Sequence, residues 1–148
     1  MMSKLITKNK KSFYEYQILE QYTAGIQLKG SEVKSIKANN VNMSESYCII
    51  KDGEIFIKNM HISEHKQGGQ HNNHEPLRDR KLLLKRKEIT NLYDKVKQKG
   101  LTIVPLSIIL SDTGFIKLEI GLAKGKNLYD KRTSIKEKDI KRDLERNS

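Results

Sequence analysis

Disulfide chemistry is absent from this chain, because Cys48 is the only cysteine among its 148 residues. A lone thiol forms no intramolecular bridge, which predicts a reducing, cytoplasmic setting. Within the run YCIIK that cysteine reads as a small core residue rather than a nucleophile. Long apolar runs are absent too. The opening MMSKLITKNKK is too polar for a secretory signal, and no segment approaches the ~20 apolar residues that cross a bilayer. The chain also lacks a G-x-S-x-G elbow, an H-E-x-x-H pair and a glycine-rich phosphate loop with its Lys-Ser/Thr. GLAKGK holds two glycines without the spacing of a nucleotide fingerprint. An enzyme and a cofactor are therefore not expected. Acidic side chains are comparatively scarce: 18 Asp and Glu stand against 29 Lys and Arg, a net charge of +11. That excess points to a polyanion, nucleic acid before anionic membrane.

What is present suits one domain. Residues 1–11 hold four lysines and no acid and read as a flexible basic arm. In SFYEYQILEQY, Tyr14, Tyr16 and Ile18 alternate with Glu15 and Gln17, the period of a half-buried strand. Ser31 is placed to cap a short helix over EVKSIKA, which Asn39 and Asn40 end. SYCIIKDGEIFIKNM predicts a hairpin turning at Asp52-Gly53. LTIVPLSIILSDTGFIKLEIGLA predicts a second, turning at Asp112-Thr113-Gly114. On its return strand Ile116, Leu118, Ile120 and Leu122 share one face, while Lys117 and Glu119 take the other. Pro105 predicts a sheet edge or a bulge. A polar loop covers 61–76. A helix then carries Ile89, Leu92, Tyr93 and Val96 at helical spacing and stops at Gly100. RDRKLLL before it fits a helix start or an extended segment equally. The sum is a mainly β chain. About six antiparallel strands with about three flanking helices predict an oligonucleotide-binding-type barrel over 12–126, followed by a tail over 127–148.

Three clusters carry the functional reading. All four histidines (His61, His65, His71, His74) fall within fourteen residues. They surround the loop KQGGQ and have no cysteine beside them, so a surface loop is expected rather than a zinc site. Between Pro76 and Gly100 lie nine Lys or Arg and three acids. The densest stretch, RDRKLLLKRK, is interrupted by Leu82, Leu83 and Leu84, which cannot all face one side. Cations beside an exposed apolar group suit RNA. The tail has only a thin apolar stripe, Ile140 and Leu144 with Ile135 well around the wheel. It should be disordered alone and become helical on a polyanion, and it fails as a membrane anchor. Residues alone leave a general RNA-binding barrel and a metal-dependent nuclease on the histidine loop as alternatives. Nothing in the sequence calls for an oligomer.

GSEVKSIKANNVNMSESY, NHEPLRDRKLLL and GLAKGKNLYDKR resemble, in the same order, the signature segments of small protein B. That is the tmRNA-binding family of bacterial trans-translation. The resemblance runs from about Asn9 to about Arg142. It implies a barrel that binds the tRNA-like domain of tmRNA and enters ribosomes stalled on messages lacking a stop codon. There the tail probes the empty mRNA channel beside small-subunit ribosomal RNA. Leu83 and Lys117 match family positions implicated in tmRNA binding. Thr23 stands where the family commonly has Glu, and Tyr14 where it often has His. Lys10, Lys34, Arg80 and Lys81 complete the candidate tmRNA-binding set. Gly125, Lys126, Tyr129, Asp130, Lys131 and Arg132 match the family's tail segment.

Overall fold

Asp52 and Gly53 have φ values of 53° and 76°, the backbone of a two-residue turn whose twist matches the strands it joins. They link β4 (Tyr47–Lys51) to β5 (Glu54–Lys58). In the computed structural model, which describes residues 4–64 and 73–125, a second hairpin joins β8 (Thr102–Leu110) to β9 (Ile116–Gly125). Gly114, at φ 89°, turns it. β2 (Tyr16–Ile26) pairs with β9 along one edge and with β7 (Arg80–Leu83) along the other. β7 pairs with β5, and β4 returns to β8 through a single bridge, Cys48 to Ile103. The order β8-β4-β5-β7-β2-β9 thus closes on itself as a six-stranded antiparallel barrel. β3 (Val41–Asn42) and β6 (His61–Ile62) form a small separate pair.

Strand alternation fills the barrel. Ala24, Ile55, Ile57, Leu82, Leu118 and Ile120 are fully or almost fully buried. Ile36 of α2 (Gly30–Lys37) and Leu92 of α3 (Arg86–Lys99) join them, with Ile89 and Val96 packed alongside. α3 starts where the Glu88 carboxylate accepts the Lys85 amide at 3.0 Å and ends on Gly100 at φ 63°, as a capped helix should. Tyr93, which helical spacing places on the apolar stripe, lies at its margin and is 44% exposed. A smaller apolar cluster sits outside the barrel, where Val104, Leu106 and Ala123 meet Phe13, Tyr16 and Ile18. Gly121 lies beneath it, and a Cβ there would come within 2.9 Å of Ile18 Cγ2 and 3.0 Å of Leu106 Cδ1, so a larger residue forces those side chains to shift.

The expected basic arm differs most from the structure. Residues Lys4–Lys8 form β1, which pairs with β8 along the edge that β4 leaves open. Asn9 then ties the chain down. Its amide nitrogen donates to the Pro105 and Met43 carbonyls at 3.1 and 3.2 Å and to Ser12 Oγ at 2.9 Å. Asn9 also caps α1 (Lys10–Glu15), so β2 begins at Tyr16 rather than in the SFY segment, and Tyr14 lies on a helix. Pro105 marks a bulge, not an edge: β8 is paired on both sides, and its register with β9 slips between Pro105 and Ser107. Ser31 does not cap α2. Lys29 is the cap residue, and its amide donates to the Glu32 carboxylate at 2.8 Å. Asn39, at φ 61°, ends that helix as predicted. Within RDRKLLL, Arg80–Leu83 forms the strand β7, the extended alternative. No helix among the described residues is long and apolar enough to cross a membrane.

Candidate nucleic-acid interface

Three strands bring the two leading candidates into one row. Gly25 of β2 is in register with Leu83 of β7 on one side and with Lys117 of β9 on the other. The residues that alternate with them, Ala24, Leu82 and Leu118, are buried inside the barrel. Leu83, Gly25 and Lys117 therefore project outward together, with Leu83 and Lys117 about 10 Å apart across two strand spacings. Gly25 leaves a slot between them. A Cβ there would stand 3.2 Å from Leu83 Cβ and 3.4 Å from Leu83 Cδ1, so Leu83 lies over ground that any other residue would take. It is 47% exposed. A single exposed leucine is common on protein surfaces, so its weight here comes from the row it shares with Lys117.

The next row is Thr23, Glu119 and Ser107. Ser107 Oγ donates to Glu119 Oε1 at 2.7 Å, which holds that carboxylate in place on the same surface. None of the ion pairs among the described residues uses Lys117. Its ammonium is open to an external anion. Lys81 instead pairs with Glu54, so much of its charge is answered within the protein.

Arg80 does not belong to the surface. It is fully buried, donating through Nε to Glu32 Oε2 at 2.6 Å and through Nη1 to the Met60 carbonyl at 2.6 Å. Its other terminal nitrogen reaches the Pro76 carbonyl at 3.0 Å. Arg78 binds the second Glu32 oxygen at 2.6 Å. A guanidinium with its donors committed indoors cannot meet a phosphate, so the sequence assignment of Arg80 to RNA is corrected. Its role is to lock α2 and β7 together. The Glu32 carboxyl is pushed up by burial, but bonds from Arg78, the Lys29 amide and Arg80 outweigh this and hold it below the usual carboxylate range.

The remaining candidates lie apart from the row. Lys10 and Tyr14 are exposed on α1, beside the opposite end of β2, where Tyr16 is in register with exposed Gly125. Nine residues separate Tyr16 from Gly25, roughly 30 Å along a strand. Lys34 is exposed on α2, and no pairing places it in the row. Lys126, Tyr129, Asp130, Lys131 and Arg132 lie outside the described residues.

The histidine loop is divided. His61 is exposed, while His74 is buried with its Nδ1 at 2.8 Å from Ser31 Oγ and its Nε2 at 2.8 Å from the Ile62 carbonyl. Both ring nitrogens are engaged, which removes His74 from a metal-ligand set. His65 and His71 lie outside the described residues. Cys48 is buried, and burial pushes its thiol up, as for an inert core residue.

Gly25 was not singled out from the sequence. The signal was available: a glycine inside a strand pattern marks a close approach. What the glycine approaches becomes visible only once β7 and β9 are known to flank it.

Known proteins resemble the chain over nearly its whole length. The SmpB protein family model matches residues 6–148. The SsrA-binding protein of Trichormus variabilis is 52% identical over 143 residues, 97% of this chain and 92% of that protein. The SsrA-binding protein of Carboxydothermus hydrogenoformans is 48% identical over 145 residues, covering 98% and 96%. A solved chain described under "tmRNA-SmpB: a journey to the center of the bacterial ribosome" superposes with a TM-score of 0.69 at 44% identity, covering 85% of this chain and 87% of its own.

Proposed function

The chain belongs to the SmpB protein family, and from that premise we propose that it binds the tRNA-like domain of tmRNA and delivers it to ribosomes stalled on messages lacking a stop codon. The observation that carries this reading is the outward row Leu83–Gly25–Lys117. Lys117 supplies a cation for a phosphate, Leu83 supplies an apolar surface for an unstacked base, and Gly25 gives Leu83 the room to lie across the strand. Thr23 and Lys81 flank the row, and Lys34 adds charge on α2. The protein acts by binding and needs no catalytic group.

The second half of the proposal concerns the other end of β2. Gly125 closes β9 beside the end of α1, the helix that carries Lys10 and Tyr14. The segment 127–148, with Lys126, Tyr129, Asp130, Lys131 and Arg132, enters the empty mRNA channel and decoding centre of the small subunit. It becomes helical as RNA surrounds it, and translation then switches to the tmRNA frame. Separation of the two ends lets one small barrel hold tmRNA while its tail meets ribosomal RNA. Sequencing the RNA that co-purifies with the full chain tests the partner. Enrichment of tmRNA is expected; a mixture reflecting cellular RNA abundance would point to a general RNA-binding barrel.

A further inference from the structure

Away from the Leu83–Lys117 row, α3 presents an aromatic ring between two cations. Tyr93 is 44% exposed although its neighbour Leu92 is wholly buried. Two depressions, about 370 and 390 Å³, meet at Tyr93 and Ile50. Arg86 and Thr90 line the first, and Lys97 and Val96 line the second. The apolar floor lies open because β4 touches β8 at only one bridge, Cys48 to Ile103. Arg86 is seven residues before Tyr93 and Lys97 four after it. The three therefore share one helix face, with the cations roughly 10 and 6 Å from the tyrosine along the axis.

We infer that this face of α3 is a second RNA site, which seats an unpaired base of a single strand against Tyr93 and its flanking phosphates on Arg86 and Lys97. The charge pattern selects the occupant. Neither Arg86 nor Lys97 joins an ion pair among the described residues. The Lys97 ammonium lies over the Tyr93 ring, 5.4 Å from its centroid, while the first depression opens against the ring without Lys97. Asp52 also lines the first depression and disfavours a phosphate on that side. An apolar peptide gains nothing from cations at both ends of its groove. A duplex cannot offer a base to a ring set in a depression, whereas a single strand can.

The test uses the full chain and a fluorescein-labelled hexacytidylate, followed by anisotropy across a salt series. Tyr93→Ala should weaken binding about tenfold, the effect of one lost stacked base. Tyr93→Phe should stay within about twofold of wild type, because stacking does not need the hydroxyl. Tyr93→Leu preserves the apolar contact and the fold but not stacking, and should bind like the alanine variant. Arg86→Gln and Lys97→Gln should each flatten the plot of log affinity against log salt by about 0.7. The Tyr93 response should persist in a Leu83→Ala, Lys117→Ala background, which removes the other row. Wild-type affinity in the folded Tyr93→Leu variant would overturn the inference, as would unchanged salt slopes in both Arg86→Gln and Lys97→Gln. The site does not rest on the tmRNA reading. Failure to bind tmRNA with the Tyr93 response intact would refute that reading alone, and the reverse pattern would refute this one alone.

Discussion

Arg80 donates through Nε to the carboxylate of Glu32 at 2.6 Å, and neither side chain has any exposed surface. The pair joins β7 to α2 and so fixes the strand from which Leu83 projects. Removing one partner of such a pair leaves a buried charge unanswered. Arg80→Ala is expected to destabilise the fold by about 3–5 kcal/mol in urea titration. Arg80→Lys should not rescue it, because a lysine cannot reproduce the planar fork that reaches Glu32, Met60 and Pro76. If Arg80 were an RNA contact, stability would hold and the salt slope of RNA binding would fall instead.

The same pair predicts a pH dependence. Although burial pushes the Glu32 carboxyl up, the bonds from Arg78, the Lys29 amide and Arg80 hold it below the ordinary range. A carboxyl depressed on folding stabilises the protein above its unfolded value and loses that contribution as pH falls through its folded value. The stability gap between wild type and Glu32→Gln should therefore be constant from pH 7 to pH 5. It should shrink only below the ordinary range near pH ~4. A gap that closes already between pH 7 and pH 5 would contradict the arrangement.

Gly25→Ala should fold. Leu83 stands 3.2 Å from where the new Cβ would lie, but it is half exposed and has room to shift outward. Thermal melting is expected to move by no more than the equivalent of about 1 kcal/mol. Affinity for tmRNA should drop about fivefold to tenfold, because the slot closes and Leu83 is displaced. In a Leu83→Ala background most of that loss should vanish, since the two residues act as one surface. Full additivity would show that Gly25 acts elsewhere.

Cutting the chain after Leu128 should leave tmRNA affinity within about twofold and abolish tagging on stalled ribosomes. The grounds are the roughly 30 Å along β2 between the Leu83–Lys117 row and the end of β9. Parallel loss of both activities would mean that the two ends are not separable.

Much of this architecture was legible in the residues. Asp52-Gly53 and Asp112-Thr113-Gly114 turn where their local chemistry says, and Gly100 stops α3. The alternation around Lys117 assigned its face correctly, because period and burial agree there. What was hidden depends on contacts distant in sequence. Asn9 reaches Pro105 and Met43, which turns an expected loose arm into a strand and a helix. Arg80 looks like its basic neighbours until Glu32, 48 positions away, is seen to take it inside. Tyr93 obeys the helical period yet lies beside the weak β4–β8 seam, where the barrel has no strand to cover it.

The most direct test is the affinity of the full chain for the tRNA-like domain of tmRNA and for an ordinary tRNA across a salt series, in wild type and Lys117→Ala. The expected result is tighter binding of tmRNA at every salt concentration, with Lys117→Ala lowering the salt slope for tmRNA by about 0.9, the share of one phosphate contact. Equal, weak affinity for both RNAs, or an unchanged slope in the variant, would contradict the account.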